Sequence, residues 1–489
     1  MADITTAASS NGWRAVTGYQ WLVFLVVWAG WTLDAADFGL FALVLRPALI
    51  NLLGFPTTGA LEPAQAAQIG KYGGLLIMTG LLGWAAGGFI FGIFADYIGR
   101  VRALIFSIAL YSVFTAMQGL SIGLWDLGVY RFLAGIGTGA EIIVGIPLLA
   151  ETLGGTQRAK VTGIMMTGGA IGTFVGAWVY GLVGNYDLTD FLSTGTIVQG
   201  GPGAWRTVFF VGVLPAILLM VIRSYVLEPG RFSAVQQRRE AVSSGRTVAS
   251  DDREFMRFVP IQLFNRANRY NTLVGLLFGL GSLLAIWTTV SWLPTILLNM
   301  AEKTGVTGPA ARAFSTHGMM LWSVGGIFGY SAFGFIADVI GRRWTIALYS
   351  LGSTTMGLIL YLALPTYEPW YPVVLPIFGF FIFGFFSGHA VYFPELFPTH
   401  IRSTGVAFCN GAARIITSFG PLIAGILAGA LPAMLASVIA GLSLPVSWGE
   451  YLRAMGGLNV AAAIMCLFAL LSVVAMLMGR ETKGDELPH

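Results

Sequence analysis

The sequence predicts an all-α membrane protein with twelve transmembrane helices in two pseudo-symmetric six-helix bundles. Three observations carry that prediction. Charged residues are 10% of the 489 and hydrophobic ones 56%, where soluble domains carry about 25% charge. The charges stand in clusters, separated by uncharged stretches long enough to cross a bilayer. A motif around Asp96 returns around Asp338.

Taken in order, residues 1–20 are polar, and the apolar run at about 20–45 has the length of a span rather than the shorter core of a secretory leader. It is read as the first helix and carries Asp34 and Asp37. Tyr72–Ala95 and Ala103–Trp125 follow, then about 127–150 with Arg131 and Glu141, Val161–Tyr186, and about 206–226 ending at Arg223. After residues 227–270 come Asn271–Ala301, Ala313–Ala337, Trp344–Tyr367, Pro369–Pro394, about 403–430 with Arg414, and Ala454–Gly479. Each is about 20 residues or longer, enough to span hydrocarbon. The expected organisation is an N-terminal bundle over 1–226, a cytoplasmic linker over 227–270 and a C-terminal bundle over 271–489.

An even number of spans puts both termini on one side. Eighteen of the 27 basic residues fall on that side and five on the other, so both termini are expected in the cytoplasm, with the chain in the plasma (cytoplasmic) membrane. The linker holds eight arginines between Arg231 and Arg269, interleaved with Glu240, Asp251, Asp252 and Glu254. That mixture reads as a solvated segment and calls for no nucleic-acid partner. Cys409 and Cys466 both lie within spans, which leaves neither a disulfide framework nor a cysteine metal site.

The repeat is specific. Gly92-x-x-x-Asp96-x-x-Gly99-Arg100 recurs as Gly334-x-x-x-Asp338-x-x-Gly341-Arg342, displaced by 242 residues. Glu151 with Arg158 recurs as Glu395 with Arg402, displaced by 244. Such a displacement divides the chain into two similar halves. The glycines permit a tight turn and close helix approach. The charges are expected to form relays at the cytoplasmic helix ends, gating that side; topology-setting charge is the simpler alternative.

With Arg131-x-x-x-Gly135-x-Gly137-x-Gly139 and the Pro394–Arg402 stretch, these motifs resemble the major facilitator superfamily over about residues 20–480. The resemblance implies transport by alternating access between two halves. Within it, Gly30-x-x-x-Asp34-x-x-Asp37, Gly139-Ala140-Glu141 and Trp205–Pro215 resemble the sialate and lactate proton symporter group. That group usually carries a Pro-Glu-Ser-Pro-type sequence after the sixth span, where this chain has Leu227-Glu228-Pro229-Gly230-Arg231.

Ionisable residues within a membrane must face protein or a water-filled cavity. Asp34 and Asp37, three residues apart, share one helical face. The depth of Arg131 suits pairing with Asp37. Three acids, Asp34, Asp37 and Glu141, face two cations, Arg131 and Arg414, while Arg46 is expected to snorkel beside Pro47. One acid is left over, the basis for expecting proton coupling. Asp34, Asp37 and Glu141 are the candidate proton-coupling residues, and Arg131, Arg414 and Asn410 the candidate substrate-binding residues. Arg414 is placed to anchor a carboxylate by bidentate bonds. Permanent helix-to-helix ion pairs are the alternative. His317 and His389 read as packing, and Trp287, Trp292 and Trp322 as an interfacial belt. The glycines at 135–139 read as helix packing, since no strand precedes them.

The expected function is proton-driven symport of a small organic anion such as a monocarboxylate, by a monomer in the lipid bilayer, with no cofactor beyond the proton. A sugar or polyol porter is the alternative, and a transporter-fold sensor or a channel are weaker ones. An enzyme or nucleotide-driven pump is not expected, because the chain has neither a phosphate-binding loop of the Gly-x-x-x-x-Gly-Lys-Ser/Thr type nor a His-Glu-x-x-His pair.

Overall fold

The computed structural model describes residues 17–56, 61–152, 158–187, 198–212, 217, 222, 224–226, 263–266, 268–363, 370–397, 402–441 and 456–483. The N-terminal half comprises α1 (Gly18–Leu52), α2 (Pro63–Ile98), α3 (Arg100–Gln118), α4 (Leu124–Thr138), α5 (Ala140–Thr152), α6 (Arg158–Val183), β1 (Tyr186–Asp187), β2 (Val198–Gln199) and α7 (Ala204–Val211). The C-terminal half comprises α8 (Arg269–Lys303), α9 (Gly308–Ile340), α10 (Arg342–Leu358), α11 (Tyr371–Leu396), α12 (Arg402–Thr417), α13 (Phe419–Gly441), α14 (Gly457–Leu467) and α15 (Leu470–Met478). A five-residue π-helical turn, Ile359–Ala363, extends α10.

Ten segments among the described residues are long and apolar enough to cross a membrane. The 35-residue α1 adds another, since it reaches ~52 Å at 1.5 Å per residue. Of the sixth expected span α7 covers the start, and most of the remainder lies outside the described residues, as does 227–262 of the linker. Helix starts follow local chemistry. Thr17 accepts from the Gln20 backbone while the Gln20 side chain accepts from Thr17, a reciprocal cap. Pro63 fills a first-turn position where a missing N–H costs nothing.

Two details differ from the sequence reading. Tyr186 and Asp187 pair antiparallel with Gln199 and Val198, a two-residue ladder that is the only sheet among the described residues. The fourth span is interrupted between α4 and α5 at Gly139. Three glycines in five residues weaken that helix by about 1 kcal/mol each, but they let it seat on its neighbours. A Cβ at Gly137 would lie 2.5 Å from the Tyr111 backbone nitrogen, and Cβ atoms at Gly135 and Gly139 would collide with the carbonyls of Gly80 and Trp84.

The repeated motif has one structural cause in both halves. Gly99 (φ 107°) ends α2 and begins α3, and Gly341 (φ 96°) joins α9 to α10 in the same way. An L side chain is strained at such angles. In each copy the following arginine turns back onto the last turn: Arg100 donates to the Ala95 carbonyl at 2.9 Å, and Arg342 to that of Ala337 at 3.2 Å.

The halves meet on the face away from the chain ends. A Cβ on Gly70 would sit 2.5 Å from the Gly425 carbonyl oxygen, and one on Gly74 2.6 Å from the Leu422 Cα, so α2 and α13 touch backbone to backbone. Arg46 does not snorkel as expected. It forms a two-point ion pair with Glu302 of the other half, both contacts 2.8 Å, because a carboxylate within reach outcompetes the lipid interface for a guanidinium.

Candidate functional site

The acids of α1 point into the middle of the molecule. Arg131 Nη1 on α4 donates to Asp37 Oδ2 at 2.9 Å, with both side chains buried. The guanidinium also lies 4.0 Å from the Phe41 ring centroid and 4.8 Å from that of Phe38. Arg131 is thus engaged with α1, while its Nε has no acceptor among the described residues. Asp34, one turn earlier, has no ion-pair partner among the described residues, and its Oδ2 accepts no hydrogen bond. Glu141, in the first turn of α5, is 1% exposed, and neither carboxylate oxygen has a partner. It packs against Gly30 of α1, where an added Cβ would fall 2.5 Å from Oε2.

Asp34 lines a cavity between the halves. Its walls are largely aromatic: Trp31, Phe38 and Trp84 from the N-terminal half, Trp287, Tyr330 and Phe383 from the other. Trp84 and Trp287 meet edge to face at 4.8 Å between centroids, and Trp287 meets Phe38 at the same distance. The indole Nε1 of Trp31, Trp84 and Trp287 is in each case buried without an acceptor. Arg414 of α12 reaches across and stacks on Trp84, its Cζ 3.9 Å from the ring centroid. It has no carboxylate within ion-pair distance among the described residues, and its Nε lacks an acceptor.

Asn410 does not stand free in the cavity. Its Oδ1 lies 2.8 Å from His389 Nδ1, and His389 Nε2 lies 2.5 Å from Ser282 Oγ, which joins three C-terminal helices in one buried polar chain. The histidine is accordingly part of the packing, enclosed by Phe278, Phe386 and Phe393. The tryptophan belt is corrected. Trp287, Trp292 and Trp322 are all buried, and Trp292 donates to the Pro421 carbonyl across 3.0 Å.

At the face nearer the chain ends, Arg342 bonds Asp338 at 3.0 Å and lies 3.6 Å from Glu395, whose other oxygen accepts from Thr482. These residues belong to α9, α10, α11 and the C-terminal segment, so the cluster clamps one half rather than joining two. The side chains of Asp96, Glu151, Arg158 and Arg402, and the residue-level surroundings of Gly92, lie outside the described set. Gly334 has open space around it.

Sequence reasoning missed the aromatic box and the role of Gly30. Its only available signal was the density of tryptophans near the first, second and seventh spans.

A fold of paired helical bundles around a central, charge-bearing cavity defines a secondary transporter. The Major Facilitator Superfamily profile matches residues 27–421, and the chain belongs to that family; it is a multi-pass membrane transporter and not an enzyme. It is 26% identical over 415 residues to a probable 4-methylmuconolactone transporter of Cupriavidus pinatubonensis, covering 85% of each chain. It is likewise 26% identical over 475 residues to a gallate transporter of Pseudomonas putida, covering 93% of each. These relatives are transporters of organic acids and do not point specifically to the sialate and lactate group. Among solved structures, a bacterial homologue of the human lysosomal transporter Spinster superposes with a TM-score of 0.68 at 16% identity, over 94% of this chain and 98% of that one.

Proposed function

We propose that this protein is a proton-coupled symporter of a planar aromatic or conjugated organic acid, working by alternating access with both termini in the cytoplasm. The observation that carries the reading is the cavity wall: Asp34, without an ion-pair partner among the described residues, lines it together with three tryptophans whose indole N–H groups lack acceptors. Buried donors left unpaired cost about 1–3 kcal/mol each, a cost that a substrate carboxylate or ring hydroxyl would relieve. Flat aromatic walls favour a flat ligand, and Arg414 supplies the positive charge its carboxylate needs. The gallate and muconolactone relatives point to the same substrate class.

Proton coupling follows from the unpaired acids. A carboxyl group whose two oxygens are both buried and unbonded is tolerable only as the neutral acid. Glu141 therefore rests in this conformation with a proton bound and must rearrange to lose it.

The test is uptake into proteoliposomes under an imposed pH gradient, with a panel of gallate, muconate, nicotinate, benzoate and xylose. The expected outcome is accumulation of acids and not of the sugar. Glu141→Gln abolishes gradient-driven accumulation and spares exchange, and Arg414→Ala loses substrate binding. Normal concentration of substrate by Glu141→Gln removes the proton role.

A further inference from the structure

One face of α3 is polar where it should be apolar. Tyr111, Thr115 and Gln118 stand at i, i+4 and i+7, on one side of the helix, and Ser121 continues the line just beyond its end. Tyr111, Gln118 and Ser121 are 0% exposed and Thr115 2%. The Tyr111 hydroxyl, Thr115 Oγ1, both amide atoms of Gln118 and Ser121 Oγ all lack a hydrogen-bond partner among the described residues, as does the neighbouring Ser112 Oγ. Folded proteins rarely leave buried donors and acceptors unsatisfied, and a row of them is the usual setting of bound internal water.

Neighbouring helices explain why no side chain satisfies them. Gly137 of α4 lies against Tyr111, and Gly212, just after α7, lies against the Thr115 methyl group. A glycine offers no side-chain partner.

The row has two meaningful ends. Helical side chains lean toward the helix N-terminus, which carries the Tyr111 phenol toward Glu141, one turn beyond Gly137. The phenol lies within the field of Glu141, Asp34 and Asp37, and Arg131 on α4 is the cation of that cluster. The other end reaches the face where the halves are closed. There Arg206 donates to the Ser121 carbonyl at 3.0 Å, with Asp187 and Asp126 offsetting its charge.

We propose that the stripe Tyr111–Thr115–Gln118–Ser121, with bound water, conducts protons between the face away from the chain ends and Glu141, separately from the substrate cavity. Protons pass through the hydroxyls and bound water, each hop breaking one O–H bond and forming another while the Gln118 amide only hydrogen-bonds the water, and the only lasting change is carboxylate to acid at Glu141. The Gly70/Gly425 and Arg46/Glu302 contacts hold the halves together at that face, so the proton that Glu141 carries in this conformation arrives without the halves parting.

The proposal rests on the proton role of Glu141, and two measurements separate the two ideas. In proteoliposomes, the double variant Thr115→Val with Gln118→Leu should slow gradient-driven accumulation about tenfold. Gradient-free counterflow of whichever panel acid exchanges fastest should stay at the wild-type rate. Undiminished gradient-driven accumulation overturns the path. Independently, radiolytic hydroxyl-radical labelling of the wild-type protein should modify Tyr111 and spare the equally buried Tyr349. An unlabelled Tyr111 overturns the water chain, even where proton symport itself holds. Should the double variant lose counterflow as well, or the wild type ignore the gradient, the labelling result decides.

Discussion

At the scale of single residues, the pairing of Asp37 with Arg131 was legible in the sequence, because three-residue spacing and depth along the spans put both groups at one level. Gly30 was not legible. A glycine in a membrane helix signals close packing, and nothing local reveals that the neighbour is the carboxylate of Glu141, 111 positions later. The two views of Gly30 make opposite forecasts. Propensity alone has Gly30→Ala stabilise the helix by about 0.5–1 kcal/mol. The contact with Oε2 instead has the methyl push Glu141 out of its niche. We expect the thermal midpoint in detergent to fall by a few degrees and gradient-driven accumulation to drop about tenfold, measured beside wild type in the same vesicles. A raised midpoint with full accumulation would show that the niche is roomier than described.

At the scale of elements, the glycine turns at Gly99 and Gly341 could be read directly from the repeat, since a positive φ demands glycine wherever it occurs. The start of α10 could not. Its cap is Glu481, 139 positions downstream of Arg342, accepting the backbone N–H groups of Arg342 at 2.8 Å and Arg343 at 3.2 Å. Tyr392 and Arg480 hold the same segment down, through the Arg480 and Glu395 carbonyls. Partial burial pushes the Glu481 carboxyl up, but the backbone N–H groups of Arg342, Lys483, Arg343 and Thr482 outweigh it and hold it below the usual glutamate range. Its contribution to stability is therefore present above the unfolded value of about 4.3 and is lost as pH falls through the lower folded value. Glu481→Gln should cost about 0.5–1 kcal/mol near neutrality, and thermal midpoints taken from pH 7 to pH 3 should converge with wild type at the acid end. A gap that persists to pH 3 would mean that the carboxylate charge is not what caps α10.

At the scale of the whole molecule, the two-bundle layout came from the charge gaps and the 242-residue repeat. How the bundles touch did not, because that is a property of one conformation rather than of either half. The two-point Arg46–Glu302 pair and the glycine seam of α2 against α13 exist only while this face is shut. Gly70 and Gly425 leave no gap for a side chain between them, so a bulky substituent there acts as a doorstop. Gly70→Leu is expected to hold the far entrance ajar while leaving each bundle intact. A cysteine at Ser315, buried beside that entrance, should then react with an impermeant maleimide several-fold faster than in the parent; an unchanged rate would mean that the seam yields. Such a jammed transporter would display its binding chamber to the opposite compartment, a form well suited to catching the substrate in place.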